Sequence, residues 1–310
     1  MRVLVTGGAG FIGSHLVDRF LERGDEVIII DNLITGKRKN LNEGAKFYEQ
    51  DITNFEEINK IFEDEKPEVV FHLAANPMLR KSIEDPVYDA RVNILGTINV
   101  LEACRKNNVK KIIYTSTGGA RVGEPEYLPV DEKHPLNPCS PYGISKHSAE
   151  HYVWMYNQLY GLDYLIFCFG NVYGPRDDAS TNRLIPFFTT LMLEGKAPKI
   201  FGDGGQTRDF IYVIDLARFI VNSINKKPNH KLFHLANGKQ ISVLEIFGLL
   251  KQFIEFEGDA EKIEAIKGEV RDIVLDIGLA KSELGWEPQT DIREGIKKTV
   301  EWFREFKKFI

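Results

Sequence analysis

The stretch M-R-V-L-V-T-G-G-A-G-F-I-G, Met1 to Gly13, decides how this chain of 310 residues is read. Val3-Leu4-Val5 is an apolar run of strand length, and Ser14 to Glu22 has helical spacing closed by Gly24. Between them stand Gly7, Gly8, Gly10 and Gly13. Glycines at a strand-to-helix turn let the backbone reverse tightly and come close to a ligand. A helix opening near Phe11 offers its N-terminal N–H groups and positive dipole end to a pyrophosphate. A second strand, Val27 to Asp31, ends in a carboxylate 18 residues after Gly13. An acid there accepts hydrogen bonds from adenosine ribose hydroxyls and repels a 2′-phosphate. NAD is therefore expected over NADP, with Lys37, Arg38 and Lys39 close by as an opposing positive run.

The alternation continues outward. Val69 to Ala74, Lys111 to Ser116 and Tyr164 to Phe169 read as strands, with helices near Asn93 to Lys106 and Ser145 to Tyr160. Thr53 and Glu56 have the T-x-x-E spacing of a capping box opening another helix. The order predicts an α/β fold: a Rossmann-type, doubly wound parallel sheet whose strands are apolar because both faces are covered. After Asn171 the rhythm changes. Gly174-Pro175, Ala197-Pro198 and Gly202-Asp203-Gly204-Gly205 punctuate short elements, and an amphipathic helix runs from Asp291 to about Lys307. Residues 1–170 plus about 209–236 are expected to form the NAD-binding domain. Residues of about 171–208 plus 237–310 are expected to form a smaller α/β substrate-binding cap. Around Asp209 to Ile224 and Lys231 to Leu235 the chain is expected to return to the main sheet.

Hydrophobic residues at 43% suffice for a sizeable core, and a net charge of −5 argues against a nucleic-acid partner. The longest apolar runs, such as Val27 to Ile30, are strand-sized, so no membrane span is expected. The first strand follows Met1 almost at once, leaving no room for a signal peptide. Cys104, Cys139 and Cys168 are widely spaced and odd in number, which suits a reducing cytoplasm and no zinc site. His147 and His151 are one helical turn apart, without a third ligand, so no metal is expected; His72 reads as a core residue.

Tyr142 and Lys146 form a Y-x-x-x-K pair, whose spacing puts both on one helix face. A free tyrosine, with a pKa of about 10, is a poor base at neutral pH. An ammonium and a positive nicotinamide ring beside it favour the phenolate. Thr115-Ser116-Thr117 ends a strand about 25 residues earlier and offers a hydroxyl for the same substrate oxygen.

Together these motifs resemble the extended short-chain dehydrogenases. The matching segments are T-G-G-A-G-F-I-G, Asp31-Asn32-Leu33, His72-Leu73-Ala74-Ala75, S-T-G-G-A and S-P-Y-G-x-S-K. Asn171-Val172-Tyr173-Gly174-Pro175-Arg176, Phe201-Gly202-Asp203-Gly204, Arg208-Asp209 and Leu284-Gly285-Trp286-Glu287-Pro288 look like the NAD-dependent nucleotide-sugar epimerases, the UDP-glucose 4-epimerase type among them. The resemblance implies a catalytic triad of Thr117, Tyr142 and Lys146. It implies an NAD site lined by Gly7, Gly10, Phe11, Ile12, Gly13, Asp31 and Asn32, by Asp51, Ile52, Leu73, Ala74 and Ala75, and by Asn93, Thr115, Tyr142, Lys146 and Phe169. It implies substrate contacts at Thr117, Asn171, Ile185, Phe201 and Arg208, with Asn171 and Arg208 on the sugar diphosphate.

In such enzymes a tyrosine takes the 4-hydroxyl proton while C4 gives hydride to NAD, and the 4-keto sugar turns over and takes it back. The related 4,6-dehydratases carry an Asp-Glu pair after the threonine; here Gly118 and Gly119 stand there, so reversible 4-oxidation is the chemistry expected. A homodimer through the helices near Asn93 to Lys106 and Ser145 to Tyr160 is also implied. A dehydrogenase that releases reduced cofactor, and an NAD-binding regulatory protein without catalysis, are the alternatives. Three departures predict a diphosphate clamp reduced to Arg208. Ala120-Arg121-Val122-Gly123 replaces V-Y-G, Cys168 stands where the family has an arginine, and Ile266 with Lys267 precedes Gly268-Glu269 where an arginine is usual.

Overall fold

The computed structural model describes residues 1–181, 183–264 and 270–307, with side chains as far as 305. Ile266, Lys267, Gly268 and Glu269 lie outside the described residues. The chain divides into two units. The first comprises Met1–Gly123, Pro135–Phe169 and Ala217–Phe233; the second comprises Glu124–His134, Gly170–Leu216 and His234–Ile310.

The first unit opens with β1 (Arg2–Thr6), α1 (Phe11–Glu22), β2 (Glu26–Asp31), β3 (Lys46–Glu49), α2 (Phe55–Glu65) and β4 (Val69–His72). It continues through α3 (Leu79–Glu84), α4 (Pro86–Ala90), a wide i→i+5 turn over Arg91–Leu95 and α5 (Gly96–Lys106). β5 (Lys111–Thr117), α6 (Pro141–Tyr160) and β6 (Asp163–Phe169) complete its run.

The second unit holds β7 (Asn171–Tyr173), α7 (Leu184–Leu193), β8 (Lys199–Phe201), β9 (Thr207–Arg208) and β10 (Phe210–Tyr212). The chain then passes through α8 (Val213–Ser223) and β11 (Leu232–Leu235), followed by β12 (Ile241–Ser242), α9 (Val243–Ile254), β13 (Glu261–Ile263), α10 (Gly278–Leu284) and α11 (Ile292–Lys307).

Seven strands form one sheet in the order β11-β6-β5-β4-β1-β2-β3, and every pairing from β6 to β3 is parallel. The order reverses beside β1, where the glycine turn lies, which is where such folds bind ligands. Val3, Leu4, Val5, Ile29, Ile30, Val70, Phe71 and Ile112 are fully buried, which is why their strands read as unbroken apolar runs. Residues from both sides of the sheet are covered; Leu4, Ile28, Phe62, Val100 and Leu101 share one cluster with Ala149 and Val153 of α6.

Several expectations are corrected. Thr53 does not cap α2: its N–H and hydroxyl go to Asp51 Oδ1 at 2.8 and 2.7 Å, and Asn54 takes the cap position with no side-chain bond. Phe210–Tyr212 does not join the main sheet but pairs in parallel with Asn171–Tyr173. Only Leu232–Leu235 of that region reaches the sheet edge. Residues 124–134 belong to the second unit, because Val130 N–H donates to Val274 O at 2.8 Å and Val130 O accepts from Asp276 N–H at 2.7 Å.

The second unit packs α7, α9 and α11 on short strand pairs, with Phe188, Ile200, Ile246, Leu250 and Ile296 in its core. Trp286, from the L-G-W-E-P segment, is buried with its indole N–H on Ala236 O at 2.8 Å.

Candidate active site

The glycine turn is close-packed. Gly7 has a φ of +74°, and a Cβ at Gly13 would lie 2.1 Å from Gly7 O. Only glycine therefore lets α1 start against the turn. Gly10 caps α1 without a side-chain bond, and no acidic residue stands in its first turn. The positive end of the helix is left unneutralised by its own side chains. Asp31 closes β2 and is buried. Its Oδ2 accepts from Ala9 N–H at 3.0 Å and its Oδ1 from Leu33 N–H at 2.9 Å. Burial pushes its carboxyl upward, against those two bonds. Each oxygen keeps lone-pair capacity for a further donor. Asn32 Nδ2 donates to Asp51 Oδ2 at 2.7 Å, which orients the next acid of the row. Ile52 is buried. A dinucleotide's pyrophosphate and ribose match this set of uncapped helix end, close-packed glycines and acceptor carboxylates.

Next to this turn, β4 contributes a chain of hydrogen bonds. Ala74 N–H donates to Thr6 Oγ1 at 3.2 Å, which lies 2.7 Å from His72 Nδ1. His72 Nε2 is 2.9 Å from Thr97 Oγ1, which donates to Asn93 O at 2.7 Å. Since Thr97 donates onward, the consistent assignment protonates Nε2 and makes Nδ1 an acceptor. Burial, with the charge of Lys146, pushes His72 down to about 3, so it is neutral and serves as a spacer. Leu73, Ala74 and Ala75 follow it at the end of β4.

Thr117 ends β5 opposite Phe169 of β6, and Thr115 lies two residues earlier on the same strand. Gly118 N–H donates to Phe169 O at 2.8 Å, so Gly118 and Gly119 follow tightly on the sheet edge. α6 starts at Pro141, earlier than the expected Ser145, so Tyr142 is in its first turn. Ser140 caps it by accepting from Gly143 N–H at 3.1 Å. A Cβ on Gly143 would lie 2.1 Å from Ala120 O, so the glycine lets the helix start abut the loop after Thr117. Tyr142 N–H donates to Ser82 Oγ at 3.2 Å.

Lys146, one turn on, is buried, with Nζ 4.3 Å from the Tyr114 ring centroid. Burial lowers it to about 8, opposed by the charges of Glu150 and Asp89 and by Cys168.

Two features were not foreseen from the sequence. The first is Glu150, buried on α6 and accepting from Ser116 Oγ, from Arg121 Nη1 at 2.9 Å and from His147 Nδ1 at 3.1 Å. Burial pushes its carboxyl up, but His147, Arg121 and Ser116 outweigh it and hold Glu150 below the ordinary carboxylate value. Cys168 Sγ is 3.9 Å from Glu150 Oε1. Position 168 therefore faces this carboxylate inside the first unit, where Arg121, itself 2% exposed, is ion-paired with it. The second is Asp89, buried in α4. Both lay hidden because neither falls in a motif.

His151 Nε2 lies 3.3 Å from His147 Nε2, and no group of three metal-ligating side chains occurs among the described residues. Cys139 is exposed.

In the second unit, Asn171 is an exposed residue opening β7, and its N–H donates to Asp209 O at 2.6 Å. Arg208 is half-buried on β9, with Nη1 donating to Thr207 O at 2.8 Å and Arg271 O at 3.0 Å. Asp209 beneath it accepts from the N–H groups of Asn237, Gly238 and Leu275, and burial raises it to about 6. Phe201 is half-buried at the end of β8. Ile185 is 2% exposed within the apolar core of this unit, so its side chain is committed to packing.

Comparisons with known proteins agree with this architecture. The model of the NAD dependent epimerase/dehydratase family matches residues 3–236. A putative UDP-glucose 4-epimerase from Methanocaldococcus jannaschii is 49% identical over 304 residues, spanning 97% of this chain and 98% of that protein. The crystal structure of a UDP-glucose 4-epimerase from Thermotoga maritima with UDP-glucose is 43% identical, covers 99% of both chains and superposes with a TM-score of 0.96. A Thermus thermophilus UDP-glucose 4-epimerase in complex with NAD is 38% identical, covers 98% of this chain and 99% of its own, and has a TM-score of 0.92.

Proposed function

The chain belongs to the NAD-dependent epimerase/dehydratase family, and from that premise we propose that it is a nucleotide-sugar 4-epimerase interconverting UDP-glucose and UDP-galactose. What supports the reading is Thr117 ending β5 with Gly118-Gly119 directly after it, and Tyr142 and Lys146 one turn apart on α6. These residues offer one hydroxyl donor, one proton carrier and one buried ammonium, and no acid–base pair for removing water from C5 and C6.

In this reading Gly7, Gly10, Phe11, Ile12 and Gly13 hold the pyrophosphate, and Asp31 and Asn32 hold the adenosine ribose. When bound, NAD supplies a hydride acceptor that returns what it takes. Tyr142 removes the 4-hydroxyl proton and later returns it to the same oxygen, once the 4-keto sugar has turned to present the opposite face of C4. Thr117 donates a hydrogen bond to the same oxygen. Lys146 favours the phenolate by its charge, at the cost of being ionised in a buried place. The first unit is thereby the cofactor-binding domain and the second the substrate-binding domain, with Asn171 and Arg208 on the diphosphate, where a guanidinium matches paired phosphate oxygens.

The same reading makes the protein a cytoplasmic enzyme of galactose metabolism and a homodimer. Leu95, Trp154, Leu159 and Tyr160 are each more than half exposed on the wide turn and α6, an apolar face suited to a second copy.

The purified protein is expected to interconvert UDP-glucose and UDP-galactose without added reductant. Tyr142→Phe is expected to lower kcat by about 10²–10⁴-fold while leaving NAD bound. Full activity in that variant would end the mechanism. Steady release of reduced cofactor would mark a dehydrogenase, and failure to bind nucleotide sugars in calorimetry a regulatory protein.

A further inference from the structure

Asp89 closes α4 just before the wide turn and is 0% exposed. Its carboxylate accepts from three separate elements. Asn76 Nδ2, after β4, donates to Oδ1 at 2.9 Å; Asn93 Nδ2, in the wide turn, donates to Oδ1 at 3.1 Å; Ser145 Oγ, on α6, donates to Oδ2 at 2.6 Å. These donors are themselves cross-linked. Asn93 Nδ2 lies 3.0 Å from Ser145 Oγ, and Asn76 N–H donates to Asn93 Oδ1 at 2.7 Å. The wide turn brings Asn93 into this knot, a use typical of such turns at functional places. All three side-chain donors are neutral. The field of a buried carboxylate reaches nearby charges with little screening.

Ser145 stands between Tyr142 and Lys146 on α6. We propose that Asp89 is a positioning residue for the proton transfer: it anchors the turn of α6 that carries Tyr142 and Lys146, and its charge keeps the Lys146 ammonium protonated. The catalytic consequence rests on the 4-epimerase reading; the electrostatics do not.

The groups around Lys146 single Asp89 out. Glu150 lies one turn along α6 and acts on Lys146 more strongly, but it is paired with the Arg121 guanidinium at 2.9 Å. Cys168 comes from β6, Tyr114 from β5, neutral His72 from β4, and Tyr142 precedes Lys146 on α6. Asp89 is the carboxylate in this group whose hydrogen-bond partners leave its charge whole.

The test compares native protein, Asp89→Asn and Ser145→Ala. In Asp89→Asn the alkaline limb of kcat is expected to move down by about one pH unit, with KM little changed. Ser145→Ala is expected to lower kcat without moving the limb, because the charge remains. An unmoved limb in Asp89→Asn overturns the inference.

Thermal unfolding supplies a readout independent of turnover. Burying a charged Lys146 costs stability below its folded pKa of about 8, and more so without Asp89. The Tm gap between native protein and Asp89→Asn is therefore widest on the acid side of that value and closes as pH rises through it. A gap constant with pH overturns the inference whether or not the protein epimerises. A closing gap in a protein that turns over no UDP-sugar overturns the reading alone. If Asp89→Asn does not fold, Asp89→Asn with Lys146→Met is expected to recover folding, and failure to recover it also overturns the inference.

Discussion

In the first unit the groups proposed for chemistry stand on long, deeply buried elements; in the second, those proposed for recognition stand on short ones nearer the surface. Thr117 ends a seven-residue strand, and Lys146 lies on a helix of 20 residues. Asp31 is gripped by two backbone N–H groups. Asn171 opens a three-residue strand, and Arg208 ends one of two residues. The contrast teaches that reaction chemistry here needs a fixed frame, because a proton carrier displaced by an ångström loses much of its rate. Recognition of a nucleotide sugar tolerates local change, so substrate choice within such a family varies without disturbing the sheet.

Substitutions in each unit sharpen that contrast. The largest effect is expected from Gly13→Ala, whose Cβ would lie 2.1 Å from Gly7 O. The helix must move off the turn, at about 1–3 kcal/mol of stability, and retained NAD and turnover are expected to disappear together. Mass spectrometry of the ligand released from the purified variant checks this. Arg208→Ala is expected to raise KM by about 10- to 100-fold, the worth of charge-assisted hydrogen bonds to phosphate, with NAD retention unchanged. A large drop in NAD content instead would break the division of labour.

The smallest change in turnover is expected from the Arg121 and Cys168 exchange. Arg121→Met leaves Glu150 buried without its guanidinium and is expected to cost about 3 kcal/mol of stability. Adding Cys168→Arg returns a cation from the β6 side and is expected to recover part of the lost Tm. No recovery would mean that position 168 has no part in this charge balance.

What was legible in the sequence divides in the same way. β1, β2, β4, β5 and β6 announce themselves as apolar runs because both their faces are covered. β3, with Lys46-Phe47-Tyr48-Glu49 at the sheet edge, carries no such run, so its sequence does not mark it as a strand. Thr53 has the spacing of a cap, but Asp51 competes for its hydroxyl, a tertiary fact that no local pattern contains. Phe210-Ile211-Tyr212 has the composition of a core strand; composition cannot say that its partner is β7 rather than the main sheet. The glycine turn and the Tyr–Lys pair were readable because each is one local segment with one role. Asp89 and Glu150 were not: besides Asn93 and His147, their partners lie 13 and 56 residues and 29 and 34 residues away on separate elements.

The central claim is that hydride leaves C4 and returns to C4 within one bound cycle while Tyr142 alone handles the proton. UDP-glucose carrying deuterium at C4, incubated with the native protein and followed by mass spectrometry and NMR, tests it most directly. The account predicts UDP-galactose with deuterium retained at C4 and no free reduced cofactor. Loss of the label to solvent, or its appearance in released cofactor, would contradict it.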